Sequence, residues 1–298
     1  MPEQYNTNGW NYSPEEIDLV YSALQNGSFA QAAPLLKGEG VGKTALLHEA
    51  FAKIGMAYPV LNQLNYPTCA AFTGAGGVDL LKAVEIASGE REEFKGLTAS
   101  EPLYFGARKL SGWRIRGGGA SVAMIAKYIA EYGVLLRQKY PNNIDLTEYN
   151  GDKAVRWGNN SGFPKTLEDI SKDHVVREYS RIDSWESYQD SIYAGFPVLV
   201  GSNFGFESAT DDLGFCKPSG EWNHAMLHIA TRQDRPGGLI ANSWGKGWLK
   251  IKKKNLNQPD GSFWCDAKYI DSMCKNGDAW NIAGFNGCKK IIDSSVAW

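Results

Sequence analysis

Long apolar runs are the first thing missing from this sequence. None approaches the ~18 residues that a membrane-crossing helix needs. The opening MPEQYNTNGWNYSPEE has neither the basic start nor the apolar core of a secretory signal. The expectation is a chain made in the cytoplasm without a signal peptide or membrane span, with incorporation in a virion left open. Positive charge is scarce too: 31 Lys and Arg face 33 Asp and Glu, for a net charge of −2 and no long basic run. Nucleic acid is thereby excluded as a partner, because phosphate backbones are held by concentrated cations.

The five cysteines, Cys69, Cys216, Cys265, Cys274 and Cys288, are an odd number without a CxxC pair. A disulfide framework and a zinc knuckle both need paired spacings, so neither is expected and at least one thiol is free. No metal and no other cofactor is predicted. The glycine-rich KGEGVGKTALL, residues 37–47, looks at first like a phosphate-binding loop. That loop needs a glycine five places before the one in Gly-Lys-Thr, and here the place holds Lys37. The stretch reads instead as a loop leading into an amphipathic helix, KTALLHEAFAKIGM, that stops at Gly55.

Residues 1–56 read as a helical appendage, an inhibitory or docking arm. In SPEEIDLVYSALQNG, Ser13 offers an N-cap, Pro14 suits the first helical position and Glu16 completes a capping box. Residues 57–150 form a mainly helical half, with a helix opening at Cys69, a further stretch GGVDLLKAVEIASG, and ASVAMIAKYIAEYG ending at Gly133. Residues 151–298 form a mainly β half with a C-terminal extension, containing a helix capped by Ser184 and β-like runs PVLVGS, AMLHIATR, GGLIANSW and WLKIKK. Helices followed by antiparallel strands make an α+β fold with two lobes.

Four residues in chain order supply the parts of a thiol-based acyl transfer: a nucleophile, a base, a group that fixes the base and an oxyanion donor. Cys69 opens a helix, where unpaired N–H groups and the dipole lower a thiol's pKa. Of only four histidines, His48 lies in the appendage and His174 in a charged stretch. His224 and His228 have the i, i+4 spacing of a helical zinc site, but Ala225 stands where that pattern needs Glu. If the run is a strand, the pair spans ~13 Å, too far for one ion. His224 is the better base. Asn242 can accept an imidazole N–H, with Trp244 covering the bond. Gln63, six residues before Cys69, can aim its amide at an oxyanion.

Together, Gln63, Cys69, His224 and Asn242 resemble the papain-like cysteine peptidases (clan CA, family C1) in order and surroundings. CAAF is similar to the family's Cys-Trp-Ala-Phe except at Ala70, HAM to its His-Ala, and NSWGKGW to its Asn-Ser-Trp-Gly-x-x-Trp, with Trp244 and Trp248 in place. RGGGASVAMIAKYIAEYGVL resembles the Gly-Gly turn that bonds substrate backbone, implying Gly117, Gly118 and Gly119 as substrate-binding, with Trp244 and Trp248 beside them. The resemblance implies a papain-like two-lobed fold, a Cys-His-Asn triad, hydrolysis of peptide or amide bonds, and a divergent bacterial or phage branch. Departures are Tyr66 where a disulfide cysteine is usual, Ala70 for Trp, and an apparent insertion before His224 that is placed to reshape the cleft. The implied substrate is a protein or peptide, a cell-wall crosslink included. The rival reading is an assembly protein, such as a virion component, whose N-terminal arm binds a partner.

Overall fold

The computed structural model describes residues 8–89, 93–113, 117–172, 174, 176 and 178–284. Cys288 lies outside them. Ten α-helices are described: α1 (Pro14–Ser22), α2 (Phe29–Ala32), α3 (Glu49–Lys53), α4 (Cys69–Ala87), α5 (Ser100–Leu110), α6 (Val122–Tyr132), α7 (Gly151–Gly158), α8 (Lys165–Ser171), α9 (Trp185–Tyr193) and α10 (Ala267–Asn276). The strands are β1 (Ala45–Leu46), β2 (Lys139–Tyr140), β3 (Ile144–Asp145), β4 (Glu178–Arg181), β5 (Val198–Phe206), β6 (Pro218–Arg232), β7 (Gly237–Ala241), β8 (Ser262–Asp266) and β9 (Asp278–Ala283). Among the described residues no helix is long and apolar enough to cross a membrane.

One lobe is helical and the other is an antiparallel sheet in the order β4-β9-β5-β6-β7-β8, with β1 paired to β6. This is the two-lobed α+β architecture expected from the pattern of elements. The two stretches after Cys69 are one continuous helix, α4, and it lies between the lobes. Small residues make that position possible. A Cβ on Gly74 would come within 2.4 Å of Ile125 on α6, and one on Gly77 within 2.7 Å of Leu199 on β5. Substitution at either would drive the helix off one lobe.

The N-terminal segment is threaded through this core. Ser13 caps α1 by accepting from the Glu16 N–H, Pro14 takes the first turn, and Ile17 and Val20 are buried. The sequence KTALLHEAFAKIGM is not one helix. Ala45 and Leu46 pair with Thr231 and Ala230 of β6, where that strand continues past its pairing with β5, which ends at His228, and only Glu49–Lys53 are helical. Gly55 ends the turn at a φ of +76°.

The glycine-rich loop binds an anion, but one of the chain's own. The N–H groups of Gly38 and Gly40 each donate to the Asp190 carboxylate at 2.8 Å. A Cβ on Gly40 would meet the Gln189 carbonyl at 2.2 Å, so the nest is filled by α9. WLKIKK is not a strand: Lys250 instead exchanges backbone bonds with Ser208 and Thr210. Those partners belong to the apparent insertion, which lengthens the β5–β6 hairpin. Its tip folds back onto Lys250 and Trp264.

Candidate active site

The helical lobe delivers a thiol and the sheet delivers an imidazole. Cys69 is the first residue of α4, following Thr68, whose hydroxyl bonds Tyr149 at 2.8 Å. Tyr66, in place of a cysteine, packs over Gly151 and donates to Asp152 at 3.0 Å, tying the same loop to α7. On β6, the Ala225 N–H donates to Cys69 Sγ at 3.4 Å, so the residue that follows His224 in the chain touches the sulfur. His224 Nε2 and Asn242 Oδ1 are 2.7 Å apart. Asn242 Oδ1 also accepts from the Ser243 N–H at 2.7 Å, so the amide presents its oxygen to the ring. That oxygen needs a proton on Nε2, which leaves Nδ1 as the basic lone pair. Nδ1 has no hydrogen-bond partner among the described residues.

The flanking aromatics shield this pair. Trp244 lies 4.7 Å from the His224 ring and 5.4 Å from Trp248, and both indoles are buried among Trp222 and Phe263. Trp248 donates to the Gly261 carbonyl at 3.0 Å. Gln63 is locked from three sides: its N–H donates to the Ser243 carbonyl at 2.7 Å, its Oε1 accepts from the Ser243 hydroxyl at 2.6 Å, and its Nε2 donates to the Tyr66 carbonyl at 2.7 Å. One amide proton remains for another acceptor. His228 stands apart, fully buried four residues along β6 with its ring 5.6 Å from Tyr188. Burial pushes its pKa down to about 3.

The glycine run reaches the same cleft. Gly117 and Gly119 have φ of +86° and +101°, and a Cβ on Gly118 would come within 2.4 Å of the Pro67 ring. What lies across the cleft is the N-terminal segment. The Ala120 N–H donates to the Gly9 carbonyl at 3.2 Å, the Asn11 N–H to the Ala120 carbonyl at 3.2 Å, and the Trp10 N–H to the Asn223 carbonyl at 2.9 Å. Asn11 Nδ2 adds a bond to the Gly118 carbonyl at 3.0 Å. Residues 8–11 therefore bridge the two lobes, with Gly9 lying over Cys69. A Cβ on Gly9 would come within 2.7 Å of Cys69 Sγ.

This cover reverses the expected state of the thiol. The N–H groups of Ala225, Ala70, Cys69 and Gly9 face the sulfur and favour thiolate, but burial outweighs them and pushes its pKa up to about 12. Burial likewise pushes His224 down to about 4, against the opposing bond to Asn242. Both groups are neutral at pH 7 in this closed arrangement. The helix N-terminus is present as expected, yet it cannot ionise a sulfur from which water is excluded.

The pattern also missed Gly9, Trp10, Asn11, Ala120, Asn223 and Asp278. A lone tryptophan in the polar run NGWNY was the available signal, since an indole in such company needs a pocket.

Known structures bear on the fold alone. Xylellain, a cysteine protease from Xylella fastidiosa, is similar with a TM-score of 0.59 and 17% identity, over 96% of this chain and 100% of that one. A digestive procathepsin L2 from Tenebrio molitor larval midgut gives 0.56 and 17%, over 96% and 81%. Bromelain from Ananas comosus with the inhibitor E64 gives 0.51 and 16%, over 79% and 97%. The chain has the papain-like cysteine protease fold. No family profile matches its sequence, and no curated protein does.

Proposed function

We propose that the chain is a papain-type cysteine peptidase held closed by its own N-terminal arm. The observation that carries this is the hydrogen bond from His224 on β6 to Asn242 just past β7, with the next residue of β6, Ala225, donating to the sulfur of a helix-opening Cys69. When the arm leaves, water reaches the pair. His224 Nδ1 then takes the Cys69 proton, and the thiolate attacks the peptide carbonyl carbon. The oxyanion accepts from the Cys69 N–H and the free Gln63 amide proton. The C–N bond breaks as His224 protonates the leaving amine, and water, deprotonated by His224, then cleaves the thioester to the acid.

Coverage of the procathepsin likeness, 96% of this chain against 79% for inhibitor-bound bromelain, supports reading the N-terminal segment as the counterpart of a precursor's. A closed site would also suit an assembly scaffold without turnover. The locked Gln63–Ser243–Asn242–His224 chain favours the enzyme, because a scaffold has no need of a basic lone pair beside a thiol. The test is hydrolysis of a mixed peptide library by the chain lacking residues 1–12, with Cys69→Ala as its control. Cleavage that vanishes in the control supports the peptidase. Cleavage that survives it removes Cys69 from the role, and no cleavage in any form moves the function to the scaffold.

A further inference from the structure

Thr68, the residue before Cys69, is the N-cap of α4. A threonine there ordinarily has an extended backbone, and its hydroxyl accepts from the N–H two or three residues on. The chain follows that rule elsewhere. Ser13, Ser121, Asn150 and Ser184 each have extended backbone, with ψ from 98° to 162°, and each side chain accepts from its own helix. Thr68 departs on both counts: its backbone lies at φ −116°, ψ 16°, and its side chain makes no capping bond. Its hydroxyl is 2.8 Å from that of Tyr149 instead. Thr68 has no exposed surface, so water is not an alternative partner.

Tyr149 is fixed from several sides. Its ring meets Phe72 of α4 edge-on at 4.7 Å and Tyr66 at 6.2 Å, and the Arg137 guanidinium lies 5.8 Å from its centre. The next residue, Asn150, caps α7 and donates its N–H at 2.9 Å to the buried Glu101 carboxylate, which Arg137 pairs at 2.9 Å. The unused cap leaves the first turn of α4 open. There the Cys69 and Ala70 N–H groups face the sulfur, where donors favour negative charge. A hydroxyl turned onto that turn would take up one donor and set its lone pairs beside the anion.

We propose that Tyr149 is a positioning residue for the reaction: it holds the Thr68 hydroxyl off the helix and so leaves the first N–H groups of α4 to the Cys69 sulfur and the oxyanion. It acts through Thr68. The role of Cys69 rests on the peptidase reading; the competition for the Thr68 hydroxyl does not.

The experiment uses full-length protein carrying Trp10→Ala, which loosens the arm by removing the indole N–H that Asp278 accepts at 3.1 Å. Carbamidomethylation of Cys69 by iodoacetamide is followed against pH, at the Cys69 peptide, by mass spectrometry. Adding Tyr149→Phe keeps the ring and frees the Thr68 hydroxyl to cap α4. The midpoint of the profile is expected to rise by about one pH unit, a roughly tenfold loss of rate below it. Thr68→Val alone removes the competitor and is expected to leave the midpoint in place, and Thr68→Val added to Tyr149→Phe is expected to restore it. A bond that merely stiffens the loop gives equal shifts in both single variants, and that result overturns the proposal. So does an unchanged midpoint in Tyr149→Phe, or no rescue in the double variant. Should Tyr149→Phe not fold, a raised midpoint in Thr68→Val still overturns it, and an unchanged one supports it. The expected profiles in a protein that cuts no peptide count against the peptidase reading and not against the pair.

Discussion

The N-terminal segment contains two stretches that hold on by different means. Residues 14–56 give Ile17, Val20, Phe29, Leu47 and Phe51 to the same buried core as the sheet, and β1 pairs with β6. Residues 8–12 give that core one side chain, Trp10, and otherwise rely on backbone and amide bonds across the cleft. Apolar burial is worth roughly 1.5–3 kcal/mol per large side chain, so the first stretch is bound several times over while the second depends on a single indole. Cap and fold are therefore separable, and the cap can open while the domain stays folded.

Deletions break this comparison most severely. Removing residues 1–12 is expected to leave one cooperative unfolding transition by circular dichroism, whereas removing 1–56 strips Leu47 and Phe51 from the core and abolishes it. Survival of a folded 57–298 fragment would show that the arm is a single detachable appendage.

Point substitutions sharpen the same contrast. Trp10→Ala is expected to favour opening by ~3 kcal/mol, about a hundredfold in hydrogen exchange at residues 9–11, with little change in global stability. Leu47→Ala is expected to do the reverse: ~2–5 kcal/mol off global stability in a denaturant titration, with exchange at residues 9–11 unaffected. Gly9→Ala places a methyl against Cys69 Sγ and the Pro67 backbone, and overpacking of this kind costs ~1–3 kcal/mol. Faster exchange at the arm, without loss of global stability, is the outcome that agrees.

The smallest effect is on pH, and two groups oppose each other. Burial raises Asp278 from 3.8 to about 6, so the closed state holds the extra proton and closure weakens as pH rises across that window. Burial lowers His224 from 6.5 to about 4, so closure strengthens as pH rises across its window. The two slopes largely cancel in the intact chain. Asp278→Asn is expected to leave an arm that opens faster in exchange as pH falls from 6.5 to 4, while His224→Gln leaves one that opens faster as pH rises from 4 to 6. Identical profiles in both variants would contradict the assigned burial of these groups.

Much of the fold was legible in the sequence because its signals are local. The Ser13 and Ser184 caps, the Gly133 stop and the apolar runs of β5–β7 each lie within a few residues, and the structure contains them. The site's parts were also readable, since NSWGKGW and HAM carry their chemistry in short strings. What was not legible depends on distant partners. Ala45 and Leu46 are in a strand because of β6, the Gly38–Gly40 nest is occupied because of Asp190, and the thiol is neutral because segments distant in sequence bury it. The helix N-terminus predicts a low thiol pKa only where water can reach the sulfur. Trp10 and Asp278 are 268 residues apart, a pairing that no local pattern encodes.

The most direct test of a closed but competent Cys69–His224 pair is intact-mass measurement after exposure to an epoxysuccinyl thiol reagent, at pH 7. Full-length protein is expected to label slowly, protein lacking residues 1–12 to gain a single adduct rapidly, and Cys69→Ala in either background to gain none. Equal rates with and without the arm, or no adduct in either form, would contradict the account.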